Sequence, residues 1–317
     1  RPESFHEDHG IERVARRARA IDRDRQVVQL DSGDEVRYGA LLLATGAVPR
    51  TLEVPGAELP SVHTLRSLAD TRALIDAAAT ADSAVVIGAS FIGMEVAASL
   101  RARELDVTVT APEQVPFERT LGTDLGLAIR QAHEDNGVRF RLGRTVAAIT
   151  EHAVVLDDDS SLPADLVAVG VGVFPDTDLA RSAGLDVENG VLVDECLRTA
   201  DERIFAAGDI ARYEDGRTGE RRRIEHWVVA QRQGQTAARN ILGRQQPFRD
   251  VPFFWTQQFD IGVTYVGHGA GWDELEVEGD LRSDGAARYL RDGRLAALAT
   301  VGRADLSLET EAQLEEA

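Results

Sequence analysis

Residues 83–110 constrain the fold more than any other stretch of the chain. Ser83-Ala84-Val85-Val86-Ile87 is apolar at successive positions, the pattern of a strand buried on both faces of a parallel sheet. It runs into Gly88-Ala89-Ser90-Phe91-Ile92-Gly93, then a helical stretch over 94–104 with Met94, Val96, Ala97 and Leu100 apolar, then the strand Val107-Thr108-Val109-Thr110. A strand, glycine turn, helix and strand in this order build a doubly wound α/β sheet. Gly88 permits the tight turn, a small Ser90 lets backbone approach a pyrophosphate, and Gly93 lets the helix pack on its strand. The helix N-terminus then offers donors and positive dipole to phosphate. A glycine turn alone is common in α/β proteins; its setting here points to dinucleotide binding.

The rest of the chain repeats the theme. Short strand patterns flank Asp22-Arg23-Asp24-Arg25 after a helix-like opening, and the buried run Ala40-Leu41-Leu42-Leu43-Ala44 ends in Thr45-Gly46-Ala47-Val48-Pro49-Arg50. A Pro-rich connection fills 50–63, and 67–81 has helical periodicity. A helix over 121–136 and a strand pair over 145–156 follow. The buried strand Leu166-Val167-Ala168-Val169 enters Gly170-Val171-Gly172-Val173-Phe174-Pro175-Asp176-Thr177, matching the Gly46 segment. The glycine finger at Gly88 precedes Gly172 by 84 residues. The same offset from Gly46 falls before Arg1, so a first finger is expected upstream of the residues given. Residues 194–212 return to strand character and end in Ile204-Phe205-Ala206-Ala207-Gly208-Asp209; a helix spans 227–242, and the remainder from 247 is β-rich and aromatic.

These patterns predict an α/β chain of two Rossmann-like doubly wound domains plus a C-terminal α+β domain. The expected bounds are 1–72 with 194–246, 73–193, and 247–317. With 54 acidic residues against 35 basic, every one of them arginine, the net charge is −19, which disfavours nucleic acid and anionic membrane as partners. A lone cysteine, Cys196, excludes a disulfide framework and a two-cysteine redox centre. It reads as a small buried hydrophobe. No apolar run approaches the ~20 residues needed to span a membrane, and the histidines show no metal-ligand spacing.

Nucleotide choice reads ambiguously. The second strand ends in Thr110-Ala111-Pro112 without the carboxylate that usually holds the adenosine ribose, Glu113 is displaced, and Arg119 is a candidate for a 2′-phosphate. Introducing Glu at 111 is therefore expected to improve NADH use. Asp209, just after a buried strand and a glycine, could accept hydrogen bonds from a polyol or cap the next helix.

Six ordered motifs carry a resemblance over nearly the whole chain: 41–46, 87–95, 169–177, 205–209, Arg223-Ile224-Glu225-His226-Trp227 with Ala230-Gln231, and Phe254-Trp255 with Asp260. The chain resembles the flavoprotein pyridine-nucleotide reductases of the putidaredoxin, rubredoxin and dioxygenase-ferredoxin reductase family, closest in wording to the apoptosis-inducing-factor-like branch. The resemblance implies FAD and NAD(P)H as cofactors. It places Asp209 on the ribityl chain, Ala44-Thr45-Gly46 along the flavin nucleotide, Arg66 and Ala18 as further FAD contacts, and Glu225, His226 and Trp227 beside the isoalloxazine. Gly88, Ser90, Phe91, Ile92 and Gly93 form the NAD(P)H finger, and Glu95 with the Val171-Gly172 backbone approaches the nicotinamide. Glu95 and Trp227 are the expected catalytic residues, and Trp255 is a weaker flavin-side candidate.

Two departures stand out. The first FAD finger and the active-site lysine are absent, so residues 1–317 alone are expected to bind FAD poorly, and Asp176 replaces an Asn. The implied activity is hydride transfer from NAD(P)H to FAD, then single electrons to a ferredoxin or other small iron-sulfur protein, in a cytoplasmic monomer or homodimer. The alternative is a slow, NADH-responsive signalling flavoprotein. Arg221-Arg222-Arg223 is the expected basic docking patch for an acidic ferredoxin.

Overall fold

The computed structural model describes residues 4–216 and 218–316. The chain forms two compact units, one of the residues up to Gly46 with Pro175–Phe248, the other of Ala47–Phe174 with the residues from Arg249 onward.

The second unit is built on a five-stranded parallel sheet in the spatial order Val62–Thr64, Leu166–Val169, Ser83–Ile87, Asp106–Ala111, Arg139–Leu142. The finger strand sits at its centre. Val85, Val86, Val107 and Val109 are completely buried, each stabilising the sheet by roughly 1.5–3 kcal/mol. The helix Leu68–Ala78 starts at a capping box in which Ser67 and Asp70 exchange side-chain-to-backbone hydrogen bonds. The helix after the finger runs Phe91–Arg101, three residues earlier than the apolar spacing implied, because Ser90 is its N-cap. The next helix covers Glu118–Asp135 but breaks at Gly122, whose φ of 77° and ψ of 178° only glycine adopts readily.

A five-stranded antiparallel sheet completes this unit in the order Phe253–Gln258, Ile261–Gly267, Arg294–Val301, Asp284–Arg291, Glu274–Asp280. Its inner residues Ile261, Val263, Tyr265 and Tyr289 join one core with Val86, Met94 and Leu125. The edge strand Glu274–Asp280 and the final helix Ala304–Glu316 lie outside the elements read from sequence.

In the first unit Leu41–Leu43 pairs in parallel with Ile204–Ala206, Leu43 opposite Ala206. Their carboxyl ends therefore share one edge, where Ala44-Thr45-Gly46 and Ala207-Gly208-Asp209 emerge. The strands Ala18–Asp22, Val27–Leu30 and Glu35–Arg37 make a separate antiparallel sheet. Among the described residues, the helix-like opening contains only the short helix Phe5–Asp8. The two repeated Gly-x-x-Pro segments pair with each other, Ala47–Pro49 against Val173–Pro175. The Arg50 N–H donates to the Gly172 carbonyl at 2.9 Å, and the Asp176 N–H donates to the Gly46 carbonyl at 2.9 Å. Gly46 and Gly172 both have positive φ, 72° and 93°. The internal repeat is thus a real structural pair.

Candidate functional site

Three glycines make the finger. A Cβ on Gly88 would lie 2.3 Å from the Gly170 carbonyl oxygen, and one on Gly93 would lie 2.0 Å from the Gly88 oxygen. Any side chain at either place would push the Phe91–Arg101 helix off its strand. Gly170, at the end of the neighbouring strand, closes the cluster: its own Cβ would come to 3.0 Å from the Gly93 nitrogen. Gly170 opens the Gly-Val-Gly stretch that leads into the second Gly-x-x-Pro, and the sequence pattern alone gives it no role.

The helix N-terminus fits a pyrophosphate. Ser90 is extended and exposed, and its side chain makes no capping hydrogen bond. The first helical turn therefore keeps donors that a ligand phosphate can take up. Phe91 and Ile92 open the helix; Ile92 is exposed, while Phe91 packs edge-on against Phe117 and Phe254 at centroid distances of 5.0 and 4.9 Å. Val171 is half-buried and Gly172 exposed. Glu95, one turn into the helix, accepts a hydrogen bond from the Thr256 hydroxyl at 2.6 Å. Phe254 belongs to a motif read from the sequence, whereas no local motif marks Thr256.

The nucleotide-choice region differs from its reading. Ala111 is 2% exposed and packs in the core with Phe117 and Leu121. A glutamate there would be desolvated rather than presented to a ribose. Arg119 is 82% exposed, and its guanidinium lies 3.3 Å from the Glu113 carboxylate. The displaced acid and the candidate 2′-phosphate ligand thus partly neutralise each other.

In the first unit the Gly208-Asp209 turn is rigidly placed. Gly208 has a φ of 79°, a Cβ on it would stand 3.3 Å from Ala230, and its N–H donates to Gln233 Oε1 at 2.8 Å. Asp209 is half-buried at the strand edge. The Arg223 guanidinium donates to the Asp209 carbonyl at 3.1 Å and pairs with Glu225 at 2.6 Å. His226 caps the helix Trp227–Ile241, its Nδ1 accepting the Val228 N–H at 3.3 Å. Burial holds its imidazole below the ordinary range, against a smaller opposite pull from Asp209. Trp227 is 58% exposed. Arg223 thus ties the Asp209 backbone to Glu225, and His226 and Trp227 follow Glu225 directly in the chain. Thr45 donates to the Asp176 carbonyl at 2.6 Å, a bond that Asp176 makes through its backbone. Ala18 begins the separate three-stranded sheet. Arg66 belongs to the other unit, at the start of the Leu68–Ala78 helix, where its N–H donates to Asp70. Trp255, on the antiparallel sheet, is 46% exposed.

The arginine triplet does not form the expected basic patch. Arg222 is 10% exposed and paired with Asp215 at 3.0 Å and Glu220 at 3.3 Å; Arg223 is 11% exposed and paired as above; Arg221 lies 3.8 Å from Glu214. Arg222 and Arg223 are thus paired and tied into the fold, while Arg221 stays 39% exposed. Cys196 is half-buried, and burial pushes its thiol up, away from a reactive thiolate. Among the described residues no group of three or more His, Cys, Asp or Glu could hold a metal ion. No helix among them is long and apolar enough to cross a membrane.

Residues 2–234 match the family described as pyridine nucleotide-disulphide oxidoreductase, and residues 253–310 match the reductase C-terminal family. Rhodocoxin reductase of Rhodococcus erythropolis is 40% identical over 290 residues, covering 89% of this chain and 68% of that protein. The crystal structure of the ferredoxin reductase for the CYP199A2 system of Rhodopseudomonas palustris superposes with a TM-score of 0.92 at 36% identity, covering 95% of this chain and 76% of that one. Putidaredoxin reductase in its covalent complex with putidaredoxin superposes at 0.95 with 31% identity, covering 100% and 79%. With its finger, its repeated strand ends and its C-terminal sheet all matched, the chain belongs to the pyridine nucleotide-disulphide oxidoreductase family, among its ferredoxin reductases.

Proposed function

We infer that the protein is an FAD-dependent oxidoreductase that takes hydride from NAD(P)H and passes electrons singly to a small iron-sulfur protein. One observation carries the reading: a glycine-locked, uncapped helix N-terminus stands on the central strand of a parallel sheet, in a chain of this family. When bound, FAD supplies the conversion of a two-electron donor into one-electron deliveries. The protein's part is to hold and align. Gly88, Ser90, Phe91, Ile92 and Gly93 receive the nucleotide pyrophosphate; Glu95 and the Val171-Gly172 backbone bound its nicotinamide end.

On the flavin side, Asp209 accepts from the polyol chain and Ala44, Thr45 and Gly46 line the nucleotide. Glu225, His226 and Trp227 border the ring, with Ala18 and Arg66 as further contacts. The helix dipole at Trp227 favours negative charge on a reduced ring. This assignment corresponds to an FAD part of 1–72 with 194–246, an NAD(P)H part of 73–193 and a C-terminal part of 247–317. An iron-sulfur partner is supported by the relatives, one of them joined covalently to putidaredoxin. A cytoplasmic monomer or homodimer completes the reading.

The test is anaerobic stopped-flow with the flavin-loaded protein. NADH or NADPH should bleach the flavin absorbance, and an oxidised [2Fe–2S] ferredoxin should restore it within a turnover. Bleaching that ferredoxin fails to reverse overturns the acceptor assignment; no bleaching by either nucleotide overturns the enzyme.

A further inference from the structure

One face of the strand Phe253–Gln258 tracks one face of the finger helix. Phe254 packs on Phe91, and two residues on, Thr256 reaches Glu95, one helical turn beyond Phe91. Thr256 and Gln258 are each 2% exposed. The Gln258 Nε2 donates to Thr256 Oγ1 at 3.0 Å, and Thr256 donates onward to Glu95 Oε1 at 2.6 Å.

The direction of this chain follows from what each group can offer. An ionised carboxylate only accepts, so the single hydroxyl proton of Thr256 must point at Glu95. The oxygen of Thr256 is then left as an acceptor, which requires Gln258 to turn its NH2 toward it. That orientation leaves Gln258 Oε1 buried without a hydrogen-bond partner among the described residues. A buried unsatisfied oxygen costs stability, whereas a leucine at 258 would fill the space without that cost. The arrangement therefore serves the hydroxyl more than the core.

We propose that Thr256 is a positioning residue for the nicotinamide: its hydroxyl fixes the Glu95 carboxylate beside the finger, and Gln258 fixes the hydroxyl. This rests on the reading of Glu95 as a nicotinamide-side group. An exposed glutamate on a helix surface samples several rotamers; a hydrogen bond from a buried, β-branched neighbour on a sheet selects one. The C-terminal sheet thereby sets how the nicotinamide is received.

The experiment compares two ligands of the same finger in the flavin-loaded protein by calorimetry. NAD+ carries the nicotinamide, and ADP-ribose lacks it. Thr256→Val should weaken NAD+ roughly tenfold, the scale of one charge-assisted hydrogen bond, and leave ADP-ribose within about twofold, the scatter expected when no contact is lost. Thr256→Ser should restore NAD+ binding. Gln258→Leu should give a smaller loss confined to NAD+.

Equal losses on both ligands overturn the proposal, since a loosened helix would harm both. No loss on either also overturns it. Thr256→Ala serves if the valine variant fails to load flavin. Glu95→Ala separates the two levels. If it leaves the NAD+ to ADP-ribose ratio unchanged, the nicotinamide reading of Glu95 is wrong. If it changes the ratio while Thr256→Val does not, only the positioning role fails.

Discussion

The finger works because three glycines occupy space that no side chain can share. Gly93→Ala places a methyl 2.0 Å from the Gly88 oxygen, and backbone cannot yield as a side-chain tip does. The variant should lose about 1–3 kcal/mol of stability through overpacking. It should also bind NAD(P)H at least tenfold more weakly, since the phosphate-binding turn moves with the helix; thermal melting and nucleotide titration check the two effects. One surface pair near the end of the second strand offers a test of nucleotide choice. Arg119 is 82% exposed and Glu113 24%, so their attraction is worth only ~0–1 kcal/mol, yet it offsets the charge a 2′-phosphate would seek. Glu113→Gln should raise the NADPH to NADH ratio of kcat/KM by about threefold, a change of that size. An unchanged ratio removes Arg119 from consideration. Gly88 and Gly93 could be read locally because turn, helix and strand follow one another in the chain. The burial of Ala111 could not, because the core it joins with Phe117 and Leu121 gathers residues from distant parts of the chain.

Among the elements, the broken helix Glu118–Asp135 shows how packing edits a periodic pattern. Its apolar spacing predicts a start at Leu121, but the helix begins at Glu118 and is interrupted at Gly122. The buried Tyr289 hydroxyl donates to the Leu121 carbonyl at 2.8 Å. Desolvation holds that phenol well above the ordinary tyrosine range, so it stays protonated and a donor. Tyr289→Phe would leave the Leu121 carbonyl buried without this partner at a cost of about 1–3 kcal/mol. A lowered unfolding midpoint with an unchanged far-ultraviolet spectrum is the expected result; an unchanged midpoint contradicts the role given to the bond. The strand Glu274–Asp280 escaped sequence reading for a different reason. Its alternating glutamates suit an edge strand, where charge discourages further pairing, but the same composition reads as a polar loop.

For the molecule as a whole, charge and histidines wholly or partly removed from water set the response to pH. His63, His133 and His226 are all held below the ordinary imidazole range, each chiefly by burial. In His133 desolvation outweighs the Ile129 and Met94 carbonyls, which favour protonation. The unfolded chain therefore binds more protons than the fold between the depressed values and about 6.5. Stability from these groups is present above about pH 6.5 and is lost as pH falls below it. Asp70, Asp165 and Asp201 are shifted down by hydrogen bonds to their carboxylates, so their contribution is lost only below about pH 4. The melting midpoint should fall from pH 7.5 to 5.5, measured at high salt to screen the repulsion of a −19 chain. A flat or rising midpoint over that range contradicts the assignment. By itself the sequence determined the α/β class, the finger, the existence of the Gly-x-x-Pro repeat and the strand end at Asp209, because each is written in neighbouring residues whose backbone needs are local. Only the tertiary structure decided that Thr256 holds Glu95, that the two Gly-x-x-Pro segments pair with each other, and that Gly170 closes the finger. Those are meetings of residues far apart in the chain, and hydrogen bonds and burial between them are set by packing rather than by spacing along the sequence.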